Sequence, residues 1–224
     1  MLNYSTSEEN YIKAIYHLQA QEGQVTTNEL AAELKTKPAS VTDMMKKLKA
    51  KKLVNYQPYY GFRLTNEGTK VALGIIRRHR LWEYFLAEKL KFTWDEVHEV
   101  AEDLEHITNK KLIDKLDEFL GFPRVDPHGD PIPDANGKIE VIKNICLTEL
   151  PFNTVATVNH VSDQSSEILE LLEHKKIRLG TKLEVKKRFN FDNSIELRIG
   201  RQPNFTISRE LAENIYVTSI LTAV

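Results

Sequence analysis

Thiols are almost absent from this chain. Cys146 is its only cysteine, which excludes an internal disulfide and any zinc site built from several thiolates. No apolar run approaches the roughly 18 residues of a membrane span. The opening Met1-Leu2-Asn3-Tyr4 lacks the basic-then-apolar layout of a signal peptide. A cytoplasmic chain with no membrane partner is therefore expected. There is no His-Glu-x-x-His, no nucleophile elbow and no phosphate-cradling glycine loop, so an enzyme is not expected. Net charge is scarce as well: 31 Lys and Arg stand against 32 Asp and Glu, a formal −1. That total hides an asymmetry. Lys35, Lys37, Lys46, Lys47, Lys49, Lys51 and Lys52 share one stretch with Asp43 as its only acid. Such a stretch is either a solvated helix face or an electrostatic footprint for phosphates.

What is present is enough apolar material, 41% of 224 residues, for two or three compact domains. Tyr11, Ile12, Ile15 and Leu18 form an apolar stripe on a helix over about 7–19, with Ser7 as its expected cap. Thr26 and Glu29 have capping-box spacing ahead of Leu30, Ala31 and Leu34. Pro38 sits where a first helical turn tolerates proline, and Val41, Met44, Met45 and Leu48 turn the next helix inward. Two short helices joined by about three residues are the layout of a helix-turn-helix. Leu53–Tyr56 and Phe62–Leu64, flanking the turn residues Pro58–Gly61, add a β-hairpin wing.

A long helix is expected over 65–90, open to bending at Gly68 and Gly74, then helices over 94–107 and 109–120. Leu73, Ile76, Leu81, Phe85 and Leu86 offer more apolar surface than one helix needs, which points to a dimer interface. Residues 121–138, rich in Pro, Gly and Asp, read as a linker or ordered loop. Beyond Leu147, Val155–Val158, Leu183–Val185, Ile195–Leu197 and Ile215–Val217 look like strands, interrupted by a helix over about 164–173. The expected fold class is mainly α with small β. It comprises a winged helix-turn-helix over 1–73, a helical dimerisation and metal-binding domain over 74–140, and a small SH3-like barrel over 147–224.

The middle domain carries the chemistry. His79 and Glu83 are four apart and share a helix face. His98, Glu102, Glu105 and His106 stand at i, i+4, i+7 and i+8, opposite Val97, Val100, Ala101, Leu104 and Ile107. Imidazole with carboxylate and no sulfur suits Mn²⁺ or Fe²⁺, with Zn²⁺ and other divalent ions able to bind in vitro. Spacing alone leaves open a solvated acidic face with incidental histidines. Two other readings also remain: a metal-independent winged-helix regulator whose barrel binds a ligand, and a metalloenzyme.

Several segments together resemble the diphtheria toxin repressor family of iron- and manganese-dependent regulators. They are Tyr11-Ile12 with Ile15-Tyr16, Pro38-Ala39-Ser40-Val41-Thr42, Arg78-His79-Arg80-Leu81 with Glu83, Val97-His98 through Glu105-His106, and Asp126-Pro127-His128-Gly129-Asp130-Pro131-Ile132-Pro133. The resemblance covers essentially the whole chain. It implies a homodimeric repressor of metal-uptake genes on a palindromic double-stranded DNA operator. It implies one metal site at Asn10, Glu102, Glu105 and His106, and a second at His79, Glu83 and His98 completed by Gln164 and Glu167. Contacts to DNA would come from Thr27, Lys37, Pro38, Ala39, Ser40, Thr42 and Asp43, with Lys46 and Lys47 on phosphates. Glu102 stands where the iron-type branch has cysteine and the manganese-type branch glutamate, which leans toward Mn²⁺. Asn10 replaces the methionine or aspartate of those branches, and keeps a carbonyl oxygen without charge. Lys13 occupies a position resembling a bridging glutamate, and an ammonium cannot ligate a metal.

Overall fold

The computed structural model describes residues 4–57, 61–94, 96–140 and 142–219. The chain forms two compact units, Met1–His79 with Glu102–Phe119 and Pro133–Lys138, and Arg80–Ala101 with Leu120–Ile132 and Ile139–Val224.

The first unit opens with α1 (Thr6–Glu22). Its cap is Ser5, not Ser7. The Ser5 hydroxyl accepts from Glu8 N (3.2 Å) and the Glu8 carboxylate accepts from Ser5 N (2.9 Å). The reciprocal pair satisfies two otherwise orphan donors, so the helix starts where that box closes. Thr26 and Glu29 make the expected box at the head of α2 (Thr27–Glu33). Pro38 is the first residue of α3 (Pro38–Ala50). Strands β1 (Val54–Gln57) and β2 (Gly61–Leu64) pair antiparallel, Val54 opposite Leu64. The expected turn residues Pro58, Tyr59 and Tyr60 lie outside the described residues. Ile12, Ile15, Val25, Leu30, Val41, Leu48 and Phe62 form the core. Each such side chain, fully buried, stabilises the fold by roughly 1.5–3 kcal/mol.

Helix α4 (Asn66–Leu90) is longer than any other in the chain. Gly68 is required there by close approach: a Cβ would stand 2.1 Å from the Leu53 carbonyl oxygen. Of the α4 side chains that looked spare in the sequence, Leu73, Ile76, Leu81 and Leu86 are buried within the single chain, and Phe85 is half-buried. Exposed large apolar side chains include Leu90 at the end of α4, Leu112 and Phe119 of α6 (Lys110–Leu120), Ile107 and Phe122.

Helix α5 (Val97–Leu104) is shorter than the stripe implied, and Glu105 and His106 lie in the turn that ends it. Ile107 N closes that turn on Leu104 O (3.1 Å), and Arg78 Nε donates to the Glu105 carbonyl (2.5 Å). A side chain thereby satisfies a carbonyl that a longer helix would have bonded internally.

The second unit is built on one six-stranded antiparallel sheet, in the order β3-β8-β4-β5-β6-β7. The strands are β3 (Ile145–Cys146), β4 (Val155–Val161), β5 (Lys182–Arg188), β6 (Ile195–Ile199), β7 (Phe205–Ile207) and β8 (Ile215–Ser219). Register shifts at Val158/His160 and Val185/Lys187 mark bulges, which bend strands toward barrel curvature. Helices α7 (Ser166–His174) and α8 (Arg209–Glu213) complete it. Leu147, Val158, Leu169, Val185, Leu197 and Val217 are core, and Trp94 packs against them.

The Pro- and Gly-rich stretch is an ordered loop. Asp126 Oδ1 accepts from His128 N (2.8 Å) and Asp130 N (3.0 Å), and Val161 N of β4 donates to His128 O (3.0 Å). Gly129 has φ +91°, and a Cβ there would lie 2.0 Å from Asn159 O. Only glycine allows this loop to press against β4.

Candidate functional site

On the first unit, α3 turns Val41, Met45 and Leu48 into the core. That leaves Pro38, Ala39, Ser40, Thr42, Asp43, Lys46 and Lys47 exposed on the opposite face, with Lys37 just before them. Thr27, at the start of α2, is half-buried. The Thr42 hydroxyl donates back to Pro38 O (3.0 Å), and Asp43 pairs with Lys46 (3.0 Å). An exposed helix preceded by a tight turn and followed by a hairpin is the geometry that enters a major groove.

The residues expected to hold the first metal do gather, but around a cation already present. Glu105 is fully buried. Lys13 Nζ donates to both of its carboxylate oxygens (2.7 and 2.8 Å) and lies 3.7 Å from Glu102. His79 Nδ1 lies 2.7 Å from the second Glu105 oxygen. Burial works against the Glu105 charge, but His79 and Lys13 outweigh it and hold the carboxyl below the usual carboxylate range. His106 Nδ1 pairs at 2.6 Å with buried Glu9, which also binds Arg78 (2.8 Å). Asn10 is half-buried and lines a cleft of about 470 Å³ with Lys13, Glu102, Glu105 and His106. Glu9 was missed in the sequence because nothing in a capped first turn distinguishes a buried acid from a helix-dipole partner.

Glu83 and His98 meet in the second unit, with His98 Nδ1 3.2 Å from Glu83 Oε1. Gln164 does not turn to them: its amide donates to Asp130 Oδ2 (2.5 Å). Glu167 is exposed in the first turn of α7. The sequence did not identify Asp126 and His128 as ligands. Glu83, Asp126 and His128 are all buried, and each offers one ligand atom within 4.8 Å of the others. By contrast, Glu102, Glu105 and His106 do not bring three such atoms together among the described residues.

His128 is prepared for ligation. Its Nε2 donates to Trp94 O (3.2 Å), and Trp94 stacks on the ring at 5.6 Å. That bond fixes the tautomer and leaves the Nδ1 lone pair free. Nδ1 is buried without a hydrogen-bond partner, 3.9 Å from Glu83 Oε1. Burial keeps His128 below the ordinary histidine range despite the pull of Glu83. Burial and then the charges of Glu83 and Asp130 push Asp126 well above the carboxylate range, against Arg80 at 3.5 Å. Two crowded carboxylates and an unprotonated imidazole nitrogen form a donor set that fits a divalent cation.

The winged helix and this acid–imidazole cluster define a DNA-binding protein with a metal-competent centre. Three family models divide the chain: the iron-dependent repressor N-terminal DNA-binding domain matches residues 3–62, its metal-binding and dimerisation domain 65–134, and the FeoA domain 145–219. The chain is 32% identical over 120 residues to the HTH-type transcriptional regulator MntR of Oceanobacillus iheyensis, covering 54% of this chain and 81% of that one. It is 26% identical over 181 residues to the iron-dependent repressor IdeR of Mycobacterium leprae, covering 73% and 76%. A solved manganese-dependent transcriptional repressor in complex with manganese superposes with TM-score 0.82 at 33% identity, over 95% of this chain and 100% of that one. The chain belongs to the iron-dependent repressor family of metal-dependent transcriptional regulators.

Proposed function

We propose that this chain acts in the cytoplasm as a homodimeric repressor of metal-uptake genes, with Mn²⁺ or Fe²⁺ as its co-repressor. Residues 1–73 read DNA, 74–140 dimerise and contribute metal ligands, and 147–224 carry the FeoA-like sheet. Glu83, Asp126 and His128 hold the regulatory ion, with His98 beside Glu83. The observation that carries this reading is His128 Nδ1, an orphaned lone pair facing two buried carboxylates. A bound cation neutralises that crowding. The protein residues supply the rest: Trp94 O orients the imidazole, and the Asp126–His128–Asp130 turn fixes the carboxylate.

Metal and operator then stabilise the same state, and linkage makes each strengthen the other's binding, typically by about 1–3 kcal/mol. The test is anisotropy of an operator duplex obtained by in vitro selection, titrated with protein in Mn²⁺, in anaerobic Fe²⁺ and without metal. Affinity is expected to rise roughly 5–150-fold with metal. Equal affinity in all three would reject metal control and favour a regulator whose sheet domain senses something else.

A further inference from the structure

The cleft expected to hold a metal between α1 and the turn after α5 already contains a cation. Glu105 Oε1 and His106 Nε2 lie 3.7 Å apart, a pair that a metal could share. The same Oε1 is held by Lys13 Nζ at 2.7 Å, and Glu102 stands 3.7 Å from that ammonium. An ion seated there would stand beside a fixed like charge. The buried charges are also paired without one. The two buried carboxylates, Glu9 and Glu105, face two fixed cations, Arg78 and Lys13, each at 2.7–2.8 Å. With both buried carboxylates paired, a dication would find only the exposed acids of the cleft, such as Glu102, to balance it, beside an ammonium that stays in place.

We propose that Lys13 is a resident cation that takes the metal's place in this cleft. The ammonium joins the first helix of the DNA-binding region to Glu105 whether or not metal is present. Metal sensing is left to the centre at Glu83, Asp126 and His128, so this inference rests on that reading for where the ion goes. Lysine can do this because its stem reaches across the groove while its head donates three bonds and ligates nothing. The link is therefore permanent, whereas a metal-made link would come and go with the cellular ion.

The test counts Mn²⁺ per protomer in the full chain after equilibrium dialysis, for the wild type, Lys13→Met, Glu105→Gln and the double variant. Methionine keeps the apolar stem and removes the charge. Glu105→Gln is expected to leave the wild-type ion count unchanged. Lys13→Met is expected to gain an additional ion, and the double variant to lose that gain. Thermal unfolding supplies a second reading: Lys13→Met should melt lower than wild type without metal and recover disproportionately in Mn²⁺. A wild-type chain that loses an ion on Glu105→Gln would overturn the proposal. So would a folded Lys13→Met chain that gains none. Should Lys13→Met fail to fold even in Mn²⁺, the Glu105→Gln count alone decides. His128→Ala reports separately on the metal centre: if it retains every ion, that reading fails, and the Glu105 and Lys13 counts still decide this one.

Discussion

Replacing Glu83 with glutamine should stabilise the metal-free protein and remove its response to metal. Glu83 and Asp126 place carboxylate oxygens within 4.8 Å of each other in a buried site. At an effective dielectric near 20, two unit charges at that distance would repel by on the order of 3 kcal/mol, an upper bound here because Asp126, pushed well above the carboxylate range, escapes part of it by keeping its proton. Arg80, 3.5 Å from Asp126, offsets part of this. The amide keeps the shape and removes the repulsion, so the metal-free melting temperature should equal or exceed that of the wild type. In the wild type, Mn²⁺ at about 100 times its Kd stabilises the native state by about 2.7 kcal/mol. For a chain of this size that corresponds to a rise of about 5–10 °C. Differential scanning calorimetry with and without Mn²⁺ measures both effects. Glu83→Gln should show less than a quarter of the wild-type rise. A variant that melts lower than wild type without metal yet keeps the full rise would show Glu83 to be a structural acid and no ligand.

Lys47→Ala should weaken binding to specific and nonspecific DNA alike and reduce the salt slope by about one ion; an unchanged slope would remove Lys47 from the phosphate interface. Gly68→Ala should destabilise the fold by about 1–3 kcal/mol in urea denaturation, because its Cβ would meet Leu53 O at 2.1 Å, while the number of bound ions stays the same. Arg77→Met should cost about 3–5 kcal/mol, also by urea denaturation, by leaving buried Asp117 without its 2.7 Å partner and the Pro133 carbonyl without its donor; a loss under about 1 kcal/mol would show that solvent rescues Asp117.

Much of the fold was legible because its signals are local. The Thr26–Glu29 box, Pro38 at the first turn of α3 and the alternation in the C-terminal strands each act within a few residues. The errors arose where tertiary contacts decided the outcome. Helix α5 ends at Leu104, and Arg78, far away in sequence, takes the Glu105 carbonyl just beyond it. Of the apolar surface read into α4, Leu73, Ile76, Leu81 and Leu86 are covered within the chain, while Phe85 stays half-buried. For the site, helical spacing singled out Glu83 with His79, and His98 with Glu102, Glu105 and His106; it was the family resemblance that set His98 with Glu83, which the fold does bring together. Asp126 and His128 carry no periodic signal, since they lie in a loop. What makes them candidate ligands is burial against β4, which depends on Gly129 and on the Trp94 carbonyl. Lys13 was visible as a residue unfit for ligation, but its bond to Glu105 spans 92 positions and no local pattern encodes it.

The position of the bound ion separates the two cleft assignments. Crystals of the full chain grown with Mn²⁺ and measured on either side of the manganese absorption edge would locate it directly. The expected result is an anomalous peak among Glu83, Asp126 and His128, with Lys13 still on Glu105. A peak shared by Glu102, Glu105 and His106, with Lys13 displaced and nothing beside His128, would contradict it.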